Sequence, residues 1–178
     1  MDGTQIYKYL FIENEYTMVI IKPFFANGPD ELKEGKEHLK KKNVPWIPWG
    51  YARDPAPARQ QCTWAFIFEK GSNKDYFEGI LNVWEGTTER DYFRKAKRKK
   101  YFPPRWLDQL EELKEYALFL RATEFFIKKI PFSDVILVSS GEKFERKYVR
   151  VHPELEYIGD DEKIKEIINQ NPQIKARK

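Results

Sequence analysis

The sequence predicts an α+β fold: a PUA-like curved mixed β-sheet or partly open β-barrel of about six strands, flanked by helices. Three observations lead to this fold class. Short runs rich in β-branched and aromatic residues recur along the chain and are separated by turn-forming Gly, Pro, Asn and Asp. Segments with helical periodicity and capping residues lie among them. The 178 residues suffice for a single domain that buries a core without disulfides or metal.

The strands are predicted from apolar and aromatic runs. Residues 63–69 (TWAFIFE) are typical of a buried strand, and residues 76–84 (YFEGILNVW) return after a Gly-Ser-Asn turn. The pair therefore predicts a β-hairpin. Gly79 inside the second strand indicates a bulge or a close backbone approach. The other predicted strands are residues 7–12, 17–21, 124–130 and 147–151, and residues 134–139 are predicted to be a short buried element.

Three helices are predicted. Asp30 is a capping residue for a helix over residues 31–42, whose last turn holds Lys40, Lys41 and Lys42. Apolar residues from Trp106 to Ala117 recur at helical spacing and predict a helix over residues 105–120. A closing helix over residues 161–170 has Asp160 as its expected N-cap. We expect one domain over residues 1–170, followed by a basic tail at 171–178 that begins a linker to a further domain.

The segment VPWIPWGY at residues 44–51 has an unusual composition. Its two prolines exclude a helix and disfavour a central strand. Indoles held by a rigid loop can form a pocket for a planar or methylated group, and Trp84 at the end of its strand could reach the mouth of that pocket. An equally weighted alternative is that Trp46, Trp49 and Tyr51 plug one end of the barrel.

Catalytic and metal-binding motifs are absent from the sequence. His38 and His152 have no partner at ligand spacing, and with Cys62 as the single cysteine there is no zinc site to propose. Phosphate-loop, dinucleotide-binding, nucleophile-elbow and zinc-protease patterns are missing. These observations predict a binding domain without enzyme activity, cofactor or metal. The lone cysteine, together with the lack of a signal-like N-terminus or a membrane-length apolar run, predicts a cytoplasmic location.

The strongest cluster of positive charge lies at residues 90–105. Cations there neutralise phosphates and release counterions, and the interleaved aromatic residues offer faces on which bases stack. The alternative is a solvated lysine-rich surface, because the abundance of Lys and Glu resembles a thermophile's composition. Favouring nucleic-acid binding, we expect phosphate contacts from Arg90, Arg94, Lys95, Lys97, Arg98, Lys99, Lys100 and Arg105, with Lys41 and Lys42 from the first helix.

Four passages resemble the PUA-like superfamily, particularly its EVE and YTH branches. They are VPWIPWGYARD, the hairpin WAFIFEKGSNKDYFEGILNVWEG, KRKKYFPPRW and EFFIKKIPFSDV. The resemblance implies that an aromatic cage holds a modified base, which places Trp46, Trp49 and Trp84 around that base. Tyr51 is a further pocket candidate, from the composition of residues 44–51.

The resemblance further implies a targeting module of the kind found in McrB-type modification-dependent restriction systems. Such a module reads methylated DNA by base flipping, and the full-length protein is a GTPase motor that oligomerises and recruits a nuclease. Alternatives are a PUA-like domain that binds tRNA, rRNA or methylated RNA, an ASCH-like nucleic-acid hydrolase, and a domain that binds a peptide through the same aromatic residues.

Overall fold

The computed structural model describes residues 19–42, 44, 46–51, 63–87, 100–107 and 118–170. Several predictions lie outside these residues: the strand at 7–12, the cations from Arg90 to Lys99, most of the helix expected at 105–120, and the tail at 171–178. None of the helices in the described parts of the chain is long and apolar enough to cross a lipid bilayer.

Seven strands form one mixed sheet in the order β2-β5-β4-β3-β1-β7-β6. The elements are β1 (Ile21–Ala26), α1 (Pro29–Lys42), β2 (Ile47–Tyr51), β3 (Trp64–Glu69), β4 (Tyr76–Thr87), β5 (Leu118–Pro131), β6 (Val135–Leu137), β7 (Leu155–Tyr157) and α2 (Glu162–Asn169), with 3₁₀ turns at Phe132–Asp134 and Arg146–Val151. β1 and β3 run parallel, and the other pairs are antiparallel. β2 and β6 are the two edges, so the described strands form an open sheet and are not closed into a barrel. The predicted α+β class is confirmed.

Alternating side chains give the sheet two apolar faces. Along β3, Ala65 and Ile67 enter one core cluster, and Trp64, Phe66 and Phe68 enter the other. The first cluster includes Leu32 of α1 with Phe102 and Trp106, and we call this side the α1 face. The second includes Ile164 of α2, and we call it the α2 face. A sheet covered on both sides explains why β3 is apolar at nearly every position.

The predicted hairpin is confirmed by β3 and β4, which pair from Trp64↔Asn82 to Ile67↔Gly79. Gly79 lies where the pairing of β4 with β5 shifts register, as the sequence indicated. A Cβ at this position would collide with the carbonyl oxygen of Phe126 and lie 2.9 Å from Leu32 Cδ1. Glycine therefore lets β4, β5 and α1 approach one another closely.

Two predicted elements are wrong in type. Residues 118–120 begin β5 instead of ending a helix, because they pair with β2 in the register Tyr51↔Leu118 to Trp49↔Leu120. Tertiary pairing thus overrides helical spacing here. Residues 147–151 belong to the 3₁₀ turn Arg146–Val151, where Val149 is buried but Val151 is 65% exposed. Alternating residue types therefore did not correspond to alternating burial.

Three predicted boundaries are displaced. Helix α1 begins at Pro29, so Asp30 lies in its first turn and does not cap it. Residues 19 and 20 precede the first described strand, which begins at Ile21 and continues through Pro23. β1 pairs with β7 only at Ile21↔Leu155, so the missing N–H of Pro23 costs no ladder hydrogen bond on that side. The closing helix is capped by Asp161, whose carboxylate accepts from the backbone N–H of Lys163 and Ile164, and not by Asp160.

Both histidines bond backbone carbonyl oxygens of distant segments and so have a structural role. His38 is 7% exposed, and its Nε2–H donates to the carbonyl oxygen of Lys100 at 2.9 Å. His152 has a left-handed backbone (φ 49°), and its Nδ1–H donates to the carbonyl oxygen of Pro23 at 2.9 Å. We assign a proton to each of these nitrogens because a carbonyl oxygen can only accept.

His152 should make stability depend on pH. Burial lowers the pKa of His152, and the nearby Lys22 ammonium lowers it further, while the hydrogen bond to Pro23 opposes both. The unfolded chain therefore binds this proton more readily than the folded one. The free energy of unfolding should be fully maintained above about pH 6.5 and decrease as the pH falls toward the folded-state pKa.

Urea denaturation between about pH 5 and pH 7 measures this effect as the difference between wild type and His152→Asn, since asparagine tolerates the left-handed backbone. We expect the variant to have a flatter pH dependence in this window. If the free energy of unfolding changes equally with pH in the two proteins, His152 is not the cause of the pH dependence.

Candidate nucleic-acid interface

The end of the predicted basic segment packs along helix α1. The hydrogen bond from His38 holds the backbone of Lys100, and the guanidinium Nη2 of Arg105 lies 2.8 Å from a carboxylate oxygen of Glu34. Phe102 and Trp106 are each 5% exposed and belong to the core of the α1 face. The segment at residues 100–107 is therefore fixed to the helix by polar contacts and by burial.

Three of the predicted phosphate contacts lie in or against α1: Lys41 is part of the helix, the backbone of Lys100 bonds His38, and Arg105 contacts Glu34. Lys41 follows His38 by about one helical turn, so it lies beside the residue that holds Lys100. Its side chain is 75% exposed and its ammonium is 3.9 Å from Glu37, a pairing that water and salt screen strongly. The side chain of Arg105 is 61% exposed despite the contact with Glu34, and Lys100 is also exposed. For Lys42 the structure gives only the backbone, which ends α1.

Two aromatic rings continue this surface toward the β2 edge of the sheet. The rings of Trp46 and Tyr101 stack with centroids 4.4 Å apart and planes 19° apart, and both side chains are half-buried. Lys100 Nζ lies 5.3 Å from the centroid of Tyr101, and Arg121 Cζ lies 5.1 Å from that of Trp46. Both distances are within the range of cation–π attraction. We call these four residues the cation–aromatic ladder.

Trp49 belongs to the core of the α1 face and does not line an open pocket. It is 4% exposed and meets Trp106 edge to face, with centroids 5.4 Å apart. This corrects its prediction as a base-pocket residue and favours the alternative that indoles of this segment fill space. Residues 47–51 form the strand β2 and not a loop. This strand tolerates Pro48 because it lies at the edge of the sheet.

The other predicted pocket residues divide into two groups. Trp46 is half-buried and belongs to the ladder, so it is the pocket candidate whose ring the structure describes on this surface. For Tyr51 and Trp84 the described structure gives only backbone positions, in β2 and β4. Trp84 lies opposite Arg121 in the pairing of β4 with β5. Their place in a base pocket stays a prediction.

Arg121 was not among the predicted site residues, and Tyr101 is one of the aromatic residues interleaved with the predicted basic segment. Arg121 fell between the predicted helix and the predicted strand at 124–130. The signal available was a single arginine within the apolar run LFLRATEFF. A cation in such a run suggests an aromatic or acidic partner, since burial without one is costly.

The arrangement of exposed cations beside the stacked rings of Trp46 and Tyr101 is suited to an anionic ligand that also has flat groups. Among the described residues no group of three His, Cys, Asp or Glu side chains could hold a metal ion. A cavity of about 310 Å³ lies on the α2 face, lined largely by apolar residues that include Ile20, Val138 and Ile168. None of the predicted contact residues lines it.

A comparison with protein-family models, curated proteins and solved structures finds no match for this chain. The resemblance to PUA-like domains therefore stays a prediction, and a functional proposal depends on the geometry of the site.

Proposed function

We propose that this chain is a nucleic-acid-binding domain without enzyme activity, and that it binds DNA in preference to RNA. One observation supports the proposal: Lys41 lies in α1, Lys100 and Arg105 contact His38 and Glu34 of the same helix, and Tyr101, next to Lys100, stacks on Trp46. Exposed cations next to partly exposed aromatic rings suit a ligand that presents both phosphates and bases.

The two halves of the surface have different tasks. Exposed cations neutralise phosphates and release counterions whatever the base sequence, so they supply affinity. Aromatic faces stack on bases, at about 1–3 kcal/mol per base. In the cation–aromatic ladder the ring faces also hold Lys100 and Arg121 in place, which reduces the entropy lost when these cations meet phosphates.

We further propose that Trp46 is the ring that faces a modified base. In the free protein the guanidinium of Arg121, itself flat and cationic, lies over this ring. A methylated base flipped out of a DNA duplex would replace it, at an unstacking cost of a few kcal/mol that the phosphate contacts offset. In this proposal the domain targets modified DNA for a restriction system.

A competition experiment tests this function. Duplex DNA and duplex RNA of one sequence, each with and without methylated bases, compete for the wild type, Trp46→Ala and Tyr148→Ala. Tyr148 is the matched control, because its ring lies under Lys147 (Nζ to centroid 4.9 Å) but packs against the core of the α2 face.

We expect DNA to outcompete RNA, and Trp46→Ala to lose preference for methylated DNA more than overall affinity, while Tyr148→Ala behaves as wild type. If RNA competes better than DNA, the RNA-binding alternative replaces this proposal. If Trp46→Ala keeps the full preference for methylated DNA, Trp46 does not read the modification.

A further inference from the structure

We infer that His38 is a positioning residue for the phosphate-binding surface, an inference that rests on the proposed function. His38 is 7% exposed, so its ring is not available to a ligand. Its effect would be indirect, through the backbone of Lys100, whose carbonyl oxygen accepts from Nε2 at 2.9 Å. The two residues are 62 positions apart in the chain, so this contact ties separate segments together.

The position of Lys100 explains why this one hydrogen bond matters. The side chain of Lys100 is both a predicted phosphate contact and one end of the cation–aromatic ladder. Tyr101, which stacks on Trp46, follows directly. Fixing the carbonyl of Lys100 therefore sets the position of a cation and of a stacking ring at once.

The other contacts between this segment and α1 act further along the chain. Arg105 meets Glu34 one helical turn before His38, and Phe102 and Trp106 enter the core. These contacts hold residues 102–106. Without the donor on His38, the backbone of Lys100 would lose its hydrogen bond to the helix. Lys100 and Tyr101 would then be free to move relative to Lys41.

A conservative pair of substitutions separates positioning from simple packing. His38→Gln keeps an N–H donor near the place of Nε2 and suits a helix interior, whereas His38→Leu removes the donor and substitutes an apolar side chain that also suits a helix. Val149→Ala is the control for loss of stability alone, since Val149 is 1% exposed and lies in the core of the α2 face.

The experiment uses the full chain and a fluorescent DNA duplex, titrated over a series of salt concentrations. We expect His38→Leu to bind about fivefold more weakly, with a salt dependence reduced by the equivalent of about one phosphate contact. His38→Gln should bind within about twofold of wild type. Val149→Ala should bind as wild type after correction for its folded fraction. Wild-type binding by His38→Leu, or equal loss in His38→Gln and His38→Leu, would overturn the inference.

Amide hydrogen exchange provides a second readout that does not require a ligand. His38→Leu should speed exchange at Tyr101 and Phe102 relative to the hairpin β3–β4, and His38→Gln should not. If the wild type binds no nucleic acid, the proposed function fails. The exchange pattern would still show whether His38 positions the segment at residues 100–107. Should His38→Leu fail to fold, His38→Asn, whose shorter amide cannot reach Lys100, replaces it in both measurements.

Discussion

Replacing Lys41, Lys100 and Arg105 together by glutamine is expected to weaken DNA binding by about 500-fold at about 0.1 M salt. Each cation that neutralises one phosphate contributes about 0.9 to the slope of log affinity against log salt concentration, and hence about eightfold in affinity at this salt. The three together should make the slope shallower by about 2.7. Fluorescence anisotropy of a labelled duplex over a range of salt concentrations measures both quantities.

A matched triple variant controls for net charge. Lys143, Arg150 and Lys163 are exposed and lie on or beside elements that pack against the core of the α2 face. Their replacement by glutamine removes the same charge from a different part of the molecule, and we expect the salt slope to stay near that of wild type. An equal loss in the two triple variants would mean that binding follows the overall charge and not the surface on α1.

Trp64→Ala is expected to lower the free energy of unfolding by about 3–5 kcal/mol, as large-to-small changes of buried aromatic residues do. Trp64 is fully buried at the start of β3, and its indole N–H donates to the carbonyl oxygen of Ile168 at 3.0 Å. The substitution opens a cavity, and it also removes the hydrogen bond that joins the sheet to the end of α2. Because small domains are stable by only about 5–15 kcal/mol, much of the stability would be lost.

Chemical denaturation with two companion variants identifies the cause of this loss. Trp64→Phe keeps most of the apolar volume but not the indole N–H, so we expect it to fall between wild type and Trp64→Ala. Trp46→Ala should have a much smaller effect, since Trp46 is only half-buried. A loss as large at Trp46 as at Trp64 would contradict the assignment of Trp46 as a partly accessible ring and of Trp64 as core.

The sequence predicted those parts of the fold that local physics determines. The hairpin β3–β4 follows from two apolar runs around a Gly-Ser-Asn turn, and α1 follows from a turn at its start and a lysine-rich end, although it begins at Pro29 and not after Asp30. Gly79 was predicted as a bulge or close approach because a glycine within an aromatic strand has no side chain to pack and weakens the strand.

Features that depend on tertiary partners could not be predicted. Residues 118–120 have apolar side chains that suit a helix or a strand, and pairing with β2 decides between them. Pro23 suggests the end of a strand, and only the limited pairing of β1 with β7 shows why the strand continues. Similar reasoning applies to the site, where burial separates Trp49 from Trp46 although both lie in one proline-rich segment.

The most direct test of the central claim is the salt dependence of DNA binding by the wild-type chain. We predict measurable binding of an unmodified duplex at about 0.05 M salt, with log affinity falling linearly against log salt concentration at a slope of about −2.7 or steeper. This is the slope that three phosphate contacts produce. The absence of binding at this salt concentration, or binding that does not change with salt, would contradict the proposal that Lys41, Lys100 and Arg105 form a phosphate-binding surface.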